Sequence, residues 1–236
     1  EYRYMPPVSK FIKEIHSKTI GDLKTLTIRE HRFPFLKKVN DWNRFEKNTG
    51  GTLVEKCCHF FDLMRFIVKS EPISVYASGG QDVNHLDEEY DGKKPDIIDN
   101  AYVIVNFENG SRSMLELCMF AENSEMQEEL TATGNIGKIE TSVPSNESGK
   151  TTSDVRIGMR DGKTKQESIS VDPKILEAGH HHGSTYYEHL AFINAVKNKL
   201  KPEVSLNDGL IAVAVGEAAE TSIKLGRVVK LNEIIT

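Results

Sequence analysis

Residues 101–107 (Ala-Tyr-Val-Ile-Val-Asn-Phe) and 111–117 (Ser-Arg-Ser-Met-Leu-Glu-Leu) form two β-type runs joined by Glu108-Asn109-Gly110. Branched and aromatic side chains suit a pleated, half-buried surface. Asn and Gly both tolerate the positive φ of a tight reversal, so the unit reads as a β-hairpin. One hairpin is not stable alone in water, and further short runs supply its partners. In Leu23–His31, Leu26 and Ile28 alternate with Thr25, Thr27 and Arg29; Ile73–Ala77, Glu128–Thr133, Lys138–Thr141, Val155–Met159 and Gln166–Val171 add more. Asp161-Gly162 makes a second plausible turn.

Helical signals lie mainly at the two ends. Pro6-Pro7 ahead of Val8, Phe11, Ile12 and Ile15 reads as a helix with proline in its first turn, and Gly21 eases a reversal beyond it. Ser184 or Thr185 begins a helix running to about Lys199, with Thr185 and Glu188 at capping-box spacing. Ser205 and Asp208 repeat that spacing before a last helix ending near Gly226. Two stretches are irregular. Residues 33–51 hold the sole tryptophan, Trp42, and read as a packed functional loop. Residues 85–99 are acidic and polar and read as an exposed excursion. Strands in the middle with helices at the ends predict an α+β fold: a large, predominantly antiparallel open sheet with helices packed on one face.

Composition narrows the function classes. No apolar run in the 236 residues approaches the roughly 18 a membrane span needs, so no membrane partner is expected. The net charge of -5, without a basic stripe, argues against nucleic acid. Three cysteines, two of them adjacent, argue against a disulfide framework and for a reducing, cytoplasmic setting. The chain opens on Glu1 without a signal-peptide pattern, and it is expected to be a piece of something longer.

The run 53–68 carries most of the chemistry. Its apolar residues cover nearly the whole circumference of a helix, which predicts burial. Yet Glu55, His59 and Asp62 share one stripe about 60° wide. A carboxylate one turn from an imidazole can fix its tautomer and raise its pKa, an arrangement suited to proton transfer. The alternative is a stripe that caps a loop or faces solvent. Gly50-Gly51 just ahead allows a sharp turn, and Lys56 adjoins the stripe. Other patterns carry less. Ser148-Gly149-Lys150-Thr151 lacks the glycine a phosphate loop requires, since Pro144 stands there. Gly134–Lys138 reads as a β-turn between strands. His180-His181-His182 has no carboxylate or cysteine spacing beside it, so no metal site is expected; one of these imidazoles, His181, is the candidate to face a ligand. No Gly-x-Gly-x-x-Gly occurs.

The segment Gly50-Gly51-Thr-Leu-Val-Glu55-Lys56-Cys-Cys-His59-Phe-Phe-Asp62 resembles the glycine pair, carboxylate and histidine of the Gfo/Idh/MocA oxidoreductases, which include glucose-fructose oxidoreductase and inositol dehydrogenase. The likeness continues through Arg3–Pro7 to Asp22, the hairpin Phe107–Ser113, Glu129–Gly137, and Tyr187–Phe192 with Pro202 and Asp208–Val229. It implies that residues 1–236 are the C-terminal substrate and dimerisation domain. A Rossmann domain binding NAD or NADP, and a lysine in a Glu-Lys-Pro motif, would lie outside this sequence.

The resemblance places His59 on the catalytic histidine and Glu55, the second catalytic candidate, which would orient and polarise His59, where inositol dehydrogenases usually have aspartate. His31-Arg32 resembles a pair near the polyol site, and Trp42 and Asn43 would rim the pocket. Lys56, His31 and His181 are then the substrate-facing candidates, with Asp62 supporting the structure. The implied reaction is hydride transfer between a nicotinamide and a sugar or cyclitol hydroxyl, in a homodimer or homotetramer formed through the sheet face. The fragment alone would be inactive. The competing expectation is a non-catalytic assembly or ligand-binding module; a lyase or hydrolase using transient oxidation would share the same residues.

Overall fold

The structure is a computed structural model that describes residues 1–177, 179 and 181–235, apart from the side chain of Glu147; His180 lies outside the described residues. Among the described residues nine strands make one open sheet: β1 (Leu23–His31), β2 (Pro72–Gly80), β3 (Asn100–Phe107), β4 (Arg112–Cys118), β5 (Met126–Gly134), β6 (Gly137–Pro144), β7 (Thr152–Met159), β8 (Thr164–Ser170) and β9 (Val229–Lys230). Their spatial order is β8-β7-β6-β5-β1-β4-β3-β2-β9. Every neighbouring pair is antiparallel except β1 with β4. The β3–β4 hairpin forms around Asn109-Gly110, with Gly110 at φ 80°.

Helices α1 (Pro6–His16), α4 (Cys58–Val68) and α7 (Leu206–Leu225) cover one face. Strand alternation supplies the core beneath them: Leu26 and Ile28 on β1, Val103 and Val105 on β3, Leu115 on β4, Leu130 on β5 and Ile139 on β6 are all buried. Short helices α2 (Glu46–Thr49), α3 (Thr52–Glu55) and α5 (Pro173–Glu177) punctuate the loops, and α6 (Ser184–Asn198) packs on the N-terminal turn.

Three local expectations need correction. The run 53–68 is not one helix but α3 and α4, parted at Lys56–Cys57. There the Cys57 N–H donates to the Thr52 carbonyl at 3.3 Å, five residues back, and this widened turn rotates α4 out of phase with α3. Helix α6 has no capping box: Gly183 precedes it, and the Thr185 hydroxyl donates instead to Glu1 Oε1 at 2.6 Å. The Ser205–Asp208 box does form. The 85–99 excursion is mostly exposed but pinned, because buried Asp99 accepts the N–H groups of Val83 and Asn84 at 2.8 and 2.7 Å, and Asp96 accepts that of Glu46 at 2.6 Å. Among the described residues no helix is long and apolar enough to cross a membrane.

Candidate functional site

A cavity of about 450 Å³ opens where the ends of β1, β5 and β6 meet the N-terminal turn, the α3–α4 break and the 181–183 loop. A glycine lets the start of α3 lie against α7. Gly51, at φ 96°, lies so close to Glu220 of α7 that a Cβ would come within 2.3 Å of its carboxyl. Glu220 Oε1 accepts the Leu53 N–H at 2.9 Å, so α7 caps the start of α3. Burial pushes the Glu220 carboxyl up to about 7.

The break at Lys56–Cys57 turns Lys56 inward. Its buried ammonium lies 3.0 Å from Glu30 Oε1 and donates to the Tyr2 hydroxyl. The Tyr2 ring in turn stacks on His59, with centroids 5.3 Å apart at 28°, and meets His181 at 5.2 Å. The protein crowds the His59 imidazole and the Lys56 charge faces it, which together pull its pKa down to about 4 against the opposing pull of Glu1. His59 is nonetheless an exposed residue, lining the cavity on its solvent side. At neutral pH the imidazole is therefore neutral, the reverse of the raised pKa expected from a Glu55 partner.

Glu55 lines the cavity but makes no hydrogen bond to His59; its nearest cation is Lys38, at 3.7 Å. The altered phase between α3 and α4 explains this, since the i,i+4 relation holds only on an unbroken helix. Asp62 turns away to pair with Arg3, whose Nε donates at 2.7 Å. That pair ties the N-terminal turn to α4, the supporting role expected of it.

Lys56, Glu55, His59 and His181 are thus brought together, whereas three other candidates do not line the cavity. His31 sits 3.0 Å from Glu116 Oε1 on the open face of the sheet, because successive strand residues alternate sides. Buried Asn43 donates to the Leu36 carbonyl at 3.0 Å and holds the loop together. Trp42 is partly exposed and stacks under Lys38.

The sequence reading missed Tyr2, Glu30, Glu128 and His182. His182 is buried against the cavity, with Nε2 lacking a hydrogen-bond partner and φ at 53°. The signal for the two glutamates was available: on β1 and β5 an acid continues an inward apolar column. Among the described residues no group of His, Cys, Asp or Glu could hold a metal ion.

The model of the oxidoreductase family's C-terminal alpha/beta domain (Gfo/Idh/MocA) matches residues 12–231, and the chain belongs to that family. It is 29% identical over 188 residues to a myo-inositol 2-dehydrogenase of Thermotoga maritima, covering 79% of this chain and 51% of that protein. It is 26% identical over 232 residues to the uncharacterized oxidoreductase YrbE of Bacillus subtilis, covering 97% of this chain and 61% of that one. A Thermotoga maritima crystal structure described as a probable dehydrogenase superposes with a TM-score of 0.73 at 25% identity, covering 98% of this chain and 64% of the other. The chain thus spans from about half to under two thirds of the length of these relatives.

Proposed function

We propose that this chain is the substrate-binding half of an NAD(P)-dependent oxidoreductase that moves hydride between a nicotinamide and a carbinol carbon of a sugar or cyclitol, the nucleotide-binding half lying outside the sequence. Family membership and the inositol dehydrogenase relative support the class of reaction. The observation that carries the site is His59, a neutral imidazole at the mouth of a cavity large enough for a six-membered polyol ring. A nicotinamide cofactor would have to reach the cavity beside His59. The rest of a dinucleotide has no glycine fingerprint here to take its pyrophosphate.

A bound nicotinamide supplies the hydride acceptor. The residues of this chain supply the rest. Neutral His59 takes the hydroxyl proton as the carbonyl forms, while Lys56, fixed by Glu30 and Tyr2, and Glu55 orient the remaining hydroxyls. The ring of Tyr2 holds His59 in place from beneath. The test is a screen of myo-inositol, glucose and related polyols with NAD and NADP, using the full-length protein and its His59→Ala variant. Wild-type turnover in the variant removes His59 from the chemistry. Failure of every polyol with both cofactors would favour an assembly module instead.

We further propose self-association through the open face of the sheet. Tyr76, Tyr102 and Ile104 stand exposed there as neighbours, Tyr76 directly opposite Ile104. Sedimentation of a Tyr102→Lys/Ile104→Lys variant should show a smaller species; an unchanged mass rejects this surface.

A further inference from the structure

The helix-covered face of the sheet ends in two carboxyls. Its inward column runs Leu26, Ile28, Glu30 on β1 and Ala132, Leu130, Glu128 on β5, with Glu30 directly opposite Glu128. Directly opposed residues project to the same side, with Cβ atoms about 5 Å apart. Both side chains are buried, and only Glu128 lines the cavity.

Their surroundings differ. Glu30 has cations of its own, Lys56 Nζ at 3.0 Å and Arg32 Nη1 at 3.4 Å, while its Oε2 is buried without a partner. Among the described residues Glu128 accepts from the neighbouring Gln127 amide, at 2.7 Å, and from no cation, and the residue opposite it on β6 is Val143. Among the described residues, the charged and titratable groups acting on it are Glu30 and Arg32 from the end of β1, Lys56 from the α3–α4 break and Tyr2 from the N-terminal turn, while Lys38, Glu55, His59, His181 and His182 line the same cavity. Two carboxylates in one buried place do not both stay ionised. The cations sit on Glu30, so the proton goes to Glu128. Burial, then the Glu30 charge, push Glu128 up to about 8, with Lys56, the Gln127 hydrogen bond and Arg32 opposing.

We propose that Glu128 is a ligand-facing hydrogen-bond donor, kept protonated by Glu30, and that it serves the carbonyl oxygen of an oxidised, uncharged polyol. A protonated carboxyl offers one O–H donor, whereas a carboxylate offers none and repels a carbonyl oxygen. Glu30 is then a positioning residue that acts through Lys56 and through its own charge. The ligand half of this inference rests on the cavity being the polyol site; the proton half does not.

Two measurements on the full-length protein separate the halves. In the first, glutamate carboxyls are labelled with ¹³C and titrated by NMR without ligand, Glu128 being assigned by its absence in Glu128→Gln. The expected result is a carboxyl titrating near pH 8 that moves toward the ordinary range in Glu30→Gln. A Glu128 titrating with ordinary carboxylates, or one indifferent to Glu30→Gln, overturns the proposal.

In the second, affinity for 2-keto-myo-inositol is measured by calorimetry at pH 7 and pH 9, with myo-inositol as the alcohol control. Only the protonated fraction binds, so wild-type affinity for the ketone should fall about tenfold over that interval. Glu128→Gln, which keeps a neutral donor, should bind equally at both pH values, and Glu128→Leu should bind at least tenfold more weakly at pH 7. A pH-independent wild type, or a Glu128→Leu variant with full affinity, overturns the ligand half. If neither probe binds at pH 7, the polyol reading of the cavity falls and takes the ligand half with it, while the carboxyl titration still decides where the proton resides.

Discussion

Two of the molecule's concave regions contrast, and the larger is the less chemical. One, of about 920 Å³, lies between α6 and α7 and is walled by Tyr4, Phe192, Leu206, Leu210 and Val213. The other, half that size, holds Lys56, His59, Glu55, Glu128 and two histidines of the 181–183 loop. In the first, apolar side chains are simply left uncovered: Phe192 is 63% exposed and Leu206 97%. In the second, ionisable side chains are buried or crowded, and each must be answered by a partner or a proton. The volume of a hollow therefore says little about chemistry. What separates the two is how far titratable groups have been taken out of water.

The sharpest way to break this contrast is Lys56→Met. It leaves the Glu30 carboxylate buried with only Arg32 at 3.4 Å, and urea unfolding should show a loss of roughly 3 kcal/mol or more. A loss below about 1 kcal/mol would mean that the ion pair is not stabilising this end of the sheet. Next comes His59→Ala in the full-length protein, where kcat should fall by about 10² or more, the usual scale for a lost proton-transfer group. Steady-state kinetics with whichever polyol is turned over will decide it.

Glu220 provides a third probe. An acid whose folded pKa lies above its unfolded value holds extra protons when folded, so stability falls as pH rises from about 4.5 to about 7. Glu220→Gln should remove roughly 2 kcal/mol of that decline, seen by comparing urea midpoints at pH 5 and pH 8. An identical pH slope in variant and parent would show that burial does not perturb this carboxyl. The smallest effect belongs to the apolar hollow: Leu206→Ser should change stability by less than about 0.5 kcal/mol, because its side chain already sits in water.

Most of the sheet was legible in the sequence. Alternation in Ala101–Phe107 and Leu23–His31, with turns at Asn109-Gly110 and Asp161-Gly162, reflects a local period of two that survives in the fold. The same local logic found the Ser205–Asp208 cap. It failed where one helical period was extended across Lys56–Cys57, because that break answers to Glu30, 26 positions earlier, and to Tyr2. The resemblance, for its part, chose His31, while its neighbour Glu30 took the inward place.

The amino-acid order by itself thus determined which segments pair and pack, and it singled out the short run from Glu55 to His59 as ionisable residues in an apolar setting. Only the tertiary structure decided what those groups experience. Strand register sets two glutamates against each other, the N-terminal turn brings Tyr2 between His59 and Lys56, and α7 caps α3 through Glu220. Hydrophobic periodicity is written locally because it needs only neighbours in the chain. The protonation state of a buried group depends on charges and water exclusion arriving from distant segments, and those exist only once the chain is folded.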